Sequence, residues 1–394
     1  MTLLPTDIIH YNILTKIPAK SLLRFKSVCK DWYNLINSKI FISIHQKHTL
    51  EFHGPSDFLL LVHGGSTTLT STPLISTFET TWFYTYLDAP NYTSGIRTKL
   101  GTFEAVVGSF NGLICLKFKR LGFLLCNPVT REHSWFIKSH NLGSVHLWDA
   151  DYGFGYDVVS CDYKIVIIEF PDYEFQQDVI VHVYSTDSYS WKEAKKIPDL
   201  RINKYMFPNR HGKSVVVNNK LHWIMLKKKR STKIRIILMF DLHTEEFREI
   251  SYPNNSLKRH DEGVLELTVS GGRLCTLVNH YSSNRSSTVS MWVMKEYGLV
   301  ESWTKLYEIV GEQISTKHFR IITHLSRRRD SEEVLLLKYD NDQELVWYNL
   351  KNKSISGKAV DFGTQIYVID TWTCIPSLAP IPGNDPNKHR TCIF

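Results

Sequence analysis

Short stretches of strand-forming residues recur at a regular interval along most of this chain, and this periodicity constrains its fold more than any other feature. Six candidate inner strands start 51 to 61 residues apart, at Leu59, Leu113, Lys164, Leu221, Arg273 and Val334. A repeat of about fifty residues built from short strands is typical of the four-stranded blades of a β-propeller. We predict an all-β propeller of six blades, or seven if residues 63–110 contain a degenerate blade. An irregular β-sandwich is the alternative.

The end of the repeat region bears on how such a propeller closes. The strand-like segment Ile366–Ile369 follows the last repeat. A late strand that pairs with the first blade would remove a free sheet edge. We therefore expect this segment to pair with the blade whose inner strand starts at Leu59.

The first fifty residues have helical periodicity instead. Ile9, Ile13 and Ile17 recur every four residues, and Pro5 and Pro18 can each open a helix, since a first helical residue has no N–H partner to lose. A second apolar stripe consists of Val28, Cys29, Trp32, Leu35 and Ile36. Three short helices in about 40 residues cannot bury this much apolar surface among themselves. They need another chain, or the rest of this one, as a partner.

The order and spacing of these residues resemble the F-box of plant F-box proteins. In that family the element docks on a Skp-type adaptor, which links it to a cullin ubiquitin ligase. The resemblance implies that the adaptor-binding residues are Leu4, Pro5, Ile9, Ile13, Leu14, Ile17, Pro18, Ser21, Leu22, Phe25, Val28, Cys29 and Trp32.

One residue departs from the F-box pattern. The family usually has one residue fewer between its two Leu/Ile-Pro pairs, so Asp7 and Ile8 lie out of register and His10 replaces a usual leucine. An extra residue rotates a helix by about 100°, which leaves the geometry of Leu4 and Pro5 open. The alternative interpretation is a helical cap that packs on its own domain.

The region after residue 58 resembles the F-box-associated, kelch-like region of the same plant proteins. The likeness is carried by Gly108–Cys115, Asn127–Arg131, Gly153–Asp157, Phe240–Phe247 and Met291–Gly298. We expect a small all-α F-box domain of three helices at 1–45, a linker at 46–57, a β-propeller at 58–376 and a flexible tail at 377–394. One subgroup of the family, the S-locus pollen F-box proteins, recognises secreted ribonucleases, and no residue separates it here from other subgroups.

These motifs predict structure and not chemistry. The glycines of Gly153–Asp157 allow tight turns or bulges, while Phe154 and Tyr156 can point together into a core between blades. The segments that start at Asn127 and Asp241 are typical of turns, in which the Asn or Asp side chain hydrogen-bonds the backbone two residues later.

Composition limits the class of protein. The 394 residues are 43% hydrophobic, which suffices for a sizeable core. No apolar run approaches the ~18 residues of a membrane span, so we expect no membrane association and a cytoplasmic or nuclear location. The seven cysteines are scattered without a CxxC pair. We expect reduced thiols, with a pairing of Cys115 and Cys126 across a hairpin as the alternative.

The net charge of +8 is concentrated in two clusters, Lys227–Arg230 and Arg327–Arg329. Solvated loops are one interpretation, and a surface that steers an acidic partner is the next. Nucleic-acid binding is the least favoured, because no known binding module accompanies the charge.

Target recognition is expected on loops at one rim of the propeller, where residues vary without disturbing the blades. Aromatic and arginine side chains typically dominate binding energy at interfaces. The candidate target-binding residues are therefore Trp82, Tyr84, Trp148, Tyr205, Phe207, Arg210, Lys228 and Arg230. The alternative places the same aromatics in blade cores.

Nothing in the sequence indicates catalysis. The pair His45 and His48 lacks an HExxH context, and His133, His140 and His146 lack a carboxylate ligand at a telling spacing. There is no GxSxG elbow, phosphate-binding loop or dinucleotide fingerprint. We expect no cofactor and a non-catalytic substrate receptor of an SCF-type (Skp-cullin-F-box) ubiquitin ligase. The alternatives are a kelch-like interaction scaffold uncoupled from a ligase and a metal-dependent propeller enzyme.

Overall fold

The chain divides into two compact units. Unit 1 comprises Met1–Ile137, Leu325–Ser331 and Tyr367–Phe394, and unit 2 comprises Lys138–His324 and Glu332–Ile366. The computed structural model describes residues 8–52, 58–63, 69–73, 83–85, 103–118, 122–137, 150–169, 179–193, 205–206, 213–229, 232–253, 265–281, 287–311, 319–323, 332–339, 343–361 and 368–382.

Unit 1 begins with helices. A π-helical segment, Ile8–Ile13, is followed by a 3-10 turn at Leu14–Lys16 and by α1 (Ala19–Phe25), α2 (Lys30–Asn37) and α3 (Lys39–Phe52). The predicted domain boundary at residue 45 lies inside α3, since His45 and Thr49 are buried and the helix continues through both. None of the described helices is long and apolar enough to cross a membrane.

Two antiparallel sheets complete the described part of unit 1. One has the order β25-β1-β2-β3 and the other the order β4-β5-β6-β7. Their strands are β1 (Phe58–His63), β2 (Leu69–Pro73), β3 (Phe83–Thr85), β4 (Phe103–Phe110), β5 (Leu113–Phe118), β6 (Gly122–Cys126), β7 (His133–Ile137) and β25 (Val368–Cys374).

Unit 2 contains four further sheets among its described residues. Their orders are β11-β10-β9-β8, β12-β14-β15-β16 with β13 also paired to β14, β17-β18-β19-β20 and β21-β22-β23-β24. The first eight strands are β8 (Ala150–Asp157), β9 (Asp162–Glu169), β10 (Ile180–Ser185), β11 (Ser190–Glu193), β12 (Tyr205–Met206), β13 (Val215–Val217), β14 (Lys220–Lys229) and β15 (Thr232–Asp241). The others are β16 (Phe247–Ser251), β17 (Leu265–Ser270), β18 (Arg273–Tyr281), β19 (Ser287–Met294), β20 (Trp303–Val310), β21 (Phe319–Thr323), β22 (Glu333–Tyr339), β23 (Gln343–Asn349) and β24 (Ser354–Asp361).

The predicted repeat is confirmed by the position of the inner strands. All six predicted starts fall at or within one or two residues of the start of the second strand of a sheet, namely β1, β5, β9, β14, β18 and β22. Small separate antiparallel sheets are the architecture of a β-propeller and not of a sandwich. The predicted count of six blades, or seven with a degenerate blade, is wrong. The described residues form five blades from consecutive strands.

The remaining sheet takes a strand from the other end of the chain. β25 pairs antiparallel with β1, with Leu59 opposite Thr373 and Leu61 opposite Thr371. The expected late strand is thus confirmed from Val368 onward, while Ile366 and Tyr367 lie outside the described residues. The pairing covers an edge of β1 that would otherwise expose unpaired backbone groups.

Successive sheets in unit 2 pack through apolar clusters. Val166, Val181 and Val183 of one sheet meet Trp223, Leu238 and Phe240 of the next. Similar clusters join that sheet to β17–β20 and join β17–β20 to β21–β24. The alternating apolar residues of each strand therefore supply both faces of the core.

The glycines of the Gly153–Asp157 motif lie within the regular strand β8, not in turns or bulges as expected. The reason is close packing, since Trp223 lies against Gly153 and Leu242 against Gly155. The aromatic part of the prediction holds for Phe154, which is buried and stacks on Tyr163.

The predicted turns at Asn127 and Asp241 are confirmed, and so are the reduced thiols of the described cysteines. Val129 N–H donates to Asn127 Oδ1 at 2.9 Å, and His243 N–H donates to Asp241 Oδ1 at 2.9 Å. The six described cysteines are free thiols, and strand register places Cys126 opposite Ile114 and not opposite Cys115.

The C-terminal part of unit 1 corrects the predicted flexible tail at 377–394. Ser377, Leu378, Ala379 and Ile381 are buried, with at most 5% of each exposed. These residues are packed in unit 1, so an ordered segment continues beyond the predicted boundary at 376. Residues 383–394 lie outside the described residues.

Candidate adaptor-docking surface

An apolar cluster holds the helices of unit 1 together. Leu14, Ala19, Leu22, Ile36 and Phe41 are at most 1% exposed and pack with Leu378; we call these six residues the helical cluster. Phe25 and Trp32 cover its border with their rings 5.7 Å apart, which joins α1 to α2. The helices therefore have a core of their own that includes one residue from the far end of the chain.

The structure sorts the predicted adaptor-binding residues by exposure. Leu14 and Leu22 are fully buried in the helical cluster, so their side chains support the helices from inside. The half-buried members are Ile9, Ile17, Ser21, Phe25 and Trp32. The exposed members are Ile13, Pro18, Val28 and Cys29, while Leu4 and Pro5 lie outside the described residues.

Among the described residues of the helical region, five large apolar side chains are exposed, and we call them the docking set. They are Tyr11, Ile13, Val28, Tyr33 and Ile40, with 45%, 42%, 61%, 50% and 69% of their surface exposed. Tyr11, Tyr33 and Ile40 are not among the adaptor-binding residues predicted from the sequence, because none of them belongs to a predicted apolar stripe. The only available signal was the large apolar side chain itself.

The extra residue of the first helix is accommodated by its π-helical geometry. A π-turn closes i to i+5 hydrogen bonds and so contains one residue more per turn than an α-helix. The π-segment Ile8–Ile13 ends directly before the buried Leu14, and Thr15 Oγ1 donates to the Tyr11 carbonyl at 2.7 Å. The π-helical geometry of this segment is therefore compatible with one extra residue before Leu14.

Two predicted target-binding residues lie close together on the sheet β12–β16. Strand register places Tyr205 opposite Lys227, which precedes Lys228, near the basic β14–β15 hairpin. Lys227 itself pairs with Glu249 at 2.7 Å. Tyr84 lies in β3, in the other unit. Trp82, Trp148, Phe207, Arg210 and Arg230 lie outside the described residues.

A buried polar cluster connects three turns of unit 2. Lys164 Nζ lies 3.4 Å from Asp157 Oδ2 and 3.1 Å from Glu245 Oε1, and it also donates to the Leu242 carbonyl. Asp157 accepts further hydrogen bonds from Asn219, Ser160, His243 and the N–H of Val159. Burial by itself would raise the pKa of Asp157, but these hydrogen bonds hold it well below its ordinary range. These motif residues therefore join the sheet β8–β11 to the turn between β15 and β16.

Two of the described histidines, His45 and His222, are buried and hydrogen-bonded. His45 is buried with Nε2 2.9 Å from the carbonyl oxygen of Ile17, which places an N–H at that nitrogen. His222 is buried, its Nε2 lies 2.8 Å from the Tyr297 hydroxyl, and burial lowers its pKa to about 4. His140 and His146 lie outside the described residues. In the described part of the chain, no three His, Cys, Asp or Glu residues are grouped as metal ligands.

The helical cluster, followed by small antiparallel sheets, defines a protein with a short helical element at its N-terminus and a β-propeller after it. Comparison with known proteins agrees with both parts. Residues 1–43 match the F-box domain, and residues 102–381 match the F-box associated beta propeller domain. The chain belongs to the family of F-box proteins that carry this propeller domain.

Individual relatives cover nearly the whole chain. F-box protein CPR1 of Arabidopsis thaliana is 31% identical over 90% of this chain and 84% of its own length. F-box protein At4g22390 of the same plant is 29% identical over 91% of this chain and 86% of its own length. Among solved structures, the chain is similar to the β-propeller domain of the Trilobed protease from Pyrococcus furiosus. The similarity has a TM-score of 0.36, with 14% identity over 66% of this chain and 71% of that chain.

Proposed function

We propose that this chain is the substrate-recognition subunit of an SCF-type E3 ubiquitin ligase. The helical region docks on a Skp-type adaptor, and through it on a cullin, while the propeller holds a target protein for ubiquitination. The observation that carries this proposal is the docking set, five large apolar residues left exposed on a helical region of F-box sequence. A contiguous exposed apolar patch is typical of protein–protein interfaces, and we propose that the docking set forms such a patch.

We expect the exposed F-box residues to make the adaptor contact. Ile13 and Val28 belong both to the F-box pattern and to the docking set, so their side chains are free to enter a partner surface. Leu14 and Leu22 act from inside, because they shape the helices that present the docking set. We expect an interface of about 1,200–2,000 Å², the usual size for specific complexes.

The proposed contribution to ubiquitination is proximity. The chain keeps lysines of a bound target near the ubiquitin-loaded enzyme carried elsewhere in the complex, which raises their effective concentration there. The reacting groups then belong to the other subunits, and this chain forms no bond itself. A cytoplasmic or nuclear location is part of this proposal, and the free thiols of the described cysteines fit a reducing compartment.

On the target side, the β14–β15 hairpin is the best-supported candidate. Tyr205 and Lys228 lie on neighbouring strands at the same end of their sheet, beside Lys227. A basic strand end next to an aromatic residue favours a target with an acidic surface. A secreted ribonuclease, the target class of the S-locus subgroup, is one candidate to be tested by co-purification.

The adaptor contact is tested with matched valines. Val28 in the docking set and Val159 in the β8–β9 turn have nearly equal exposure, 61% and 62%. We expect Ile13→Asp combined with Val28→Asp to abolish co-purification of a Skp-type adaptor, because it would bury two carboxylates in an apolar interface. Val159→Asp should leave co-purification unchanged.

Circular dichroism and thermal unfolding serve as the folding control for both variants. Full adaptor binding by the double variant would refute the docking proposal. If the wild-type chain itself did not bind the adaptor under the same conditions, the result would favour the scaffold alternative. In that alternative the propeller binds partners without a ligase.

A further inference from the structure

The end of the described chain passes between the helices and the sheet β4–β7 of unit 1. Leu378 belongs to the helical cluster, and Val129, in the turn between β6 and β7, packs against the same cluster. Ser377 is fully buried, and its Oγ accepts hydrogen bonds from Gln46 Nε2 of α3 at 2.8 Å and from the N–H of Ala379 at 3.0 Å. We call residues 375–381 the C-terminal strap.

Asn127 attaches the strap to the sheet. Its Nδ2 donates to the carbonyls of Ser377 at 3.0 Å and Ala379 at 2.8 Å. Its Oδ1 accepts from the N–H groups of Val129 at 2.9 Å and Thr130 at 3.2 Å. Both donors and both acceptor positions of this buried amide are therefore used, two for its own turn and two for the strap.

Gln46 attaches the strap to the helices and connects all three parts. The same Nε2 that reaches Ser377 also donates to the Asn111 carbonyl in the β4–β5 turn at 3.0 Å. In an antiparallel sheet the β4–β5 and β6–β7 turns lie at the same end, so the strap is held between α3 and one end of the sheet.

We propose that the C-terminal strap holds the helical region on the sheet β4–β7 in one orientation, with Asn127 and Gln46 as positioning residues. This inference deepens the proposed function, because a receptor acts by proximity only if its docking element keeps a set orientation on its own domain. Apolar contacts through Leu378 provide attachment, while the directional hydrogen bonds of the two amides select one arrangement.

The test compares full-length variants in each of which one side-chain amide is replaced. Asn127→Asp keeps the acceptor oxygen for Val129 and Thr130 but removes both donors and places a carboxylate against two carbonyls. Asn349→Asp is the control, since Asn349 Oδ1 accepts from the N–H of Asn352 at 2.9 Å in an exposed turn of unit 2. A second variant, Gln46→Met, removes the other attachment.

Hydrogen–deuterium exchange is measured by peptide for α3, for 375–381 and for β4–β6. We expect Asn127→Asp and Gln46→Met each to raise exchange in α3 and in 375–381 at least tenfold, while β4–β6 keeps its protection and Asn349→Asp changes none of these segments. Adaptor binding should remain, while ubiquitination of a bound target falls severalfold.

Three results would overturn the proposal. They are unchanged exchange in α3, loss of protection throughout β4–β6, or an equal response to Asn349→Asp. Loss of protection across the sheet would mean that the strap is part of the sheet's own fold. Adaptor co-purification by the wild-type chain reports on the proposed function separately, because the strap is judged by exchange.

Discussion

Gly153 and Trp223 touch across two neighbouring sheets of unit 2. The indole N–H of Trp223 donates to the Tyr152 carbonyl at 3.0 Å, and a Cβ at position 153 would lie 2.6 Å from Trp223 Cζ2. Trp223 is the largest fully buried side chain among the described residues, so it has little room to move away. The absence of a side chain at 153 is therefore what lets β8 approach the next sheet.

Replacing this glycine should be costly. We expect Gly153→Ala to destabilise the protein by about 1–3 kcal/mol through overpacking. Gly357→Ala in β24 is the matched control, since a Cβ there meets nothing within 4 Å. The urea midpoints of the two variants give the comparison, and equal midpoints would contradict the packing argument.

A similar pair of glycines tests the strap from the sheet side. Gly112 and Gly272 both end hairpin turns with left-handed backbones, at φ +79° and +70°. Alanine at either costs about 1–2 kcal/mol for the backbone. At Gly112 the new Cβ would also lie 2.2 Å from Ser377 Cβ, so Gly112→Ala should be clearly the more destabilising variant in thermal unfolding. A larger effect at Gly272 would count against the strap contact.

The buried ammonium of Lys164 should be essential for the stability of unit 2. Lys164→Met would remove the ammonium group beside Asp157, whose side chain is 0% exposed. Glu245 would keep one cation, since Lys192 Nζ lies 2.9 Å from its Oε1. Breaking a buried pair in this way costs about 3–5 kcal/mol. The control is Lys305→Met, which removes an exposed pair with Glu308 at 2.8 Å and should cost at most about 1 kcal/mol. Chemical denaturation of both variants measures their free energies of unfolding. Similar losses in the two variants would show that the buried cluster contributes little to stability.

His222 should make stability fall in weak acid. Burial lowers its folded-state pKa from 6.5 to about 4, so between these values the unfolded chain binds a proton that the folded chain does not. The contribution of His222 to the free energy of unfolding is therefore complete above pH 6.5. It declines by up to about 3 kcal/mol toward pH 4. His222→Gln should lack this component. Denaturant midpoints measured from pH 7 to pH 4 test it, and parallel curves for wild type and variant would refute it.

Much of the fold could be predicted because it depends on local patterns. The strand starts at Leu113 and Arg273 follow turn residues with positive φ, and the Asn127 and Asp241 turns use side-chain bonds to nearby backbone. The helical stripe likewise predicted the buried Ile36. The candidate site was harder to predict from the sequence. Hydrophobic periodicity indicates which residues are apolar, but it does not indicate which partner covers them. Leu22 and Val28 are both apolar F-box residues, yet one is buried and the other is 61% exposed.

The sequence by itself determined the fifty-residue strand period, the helical N-terminus and the family-like motifs, since all of these arise from residues that are near one another along the chain. Only the tertiary structure decided which apolar residues of the helices stay exposed and that residues 377–381, predicted as part of a flexible tail, are packed in unit 1. These outcomes depend on contacts such as that between Gln46 and Ser377, which are 331 residues apart. Local propensity carries no information about such contacts, because they exist only once both segments are packed in the same unit.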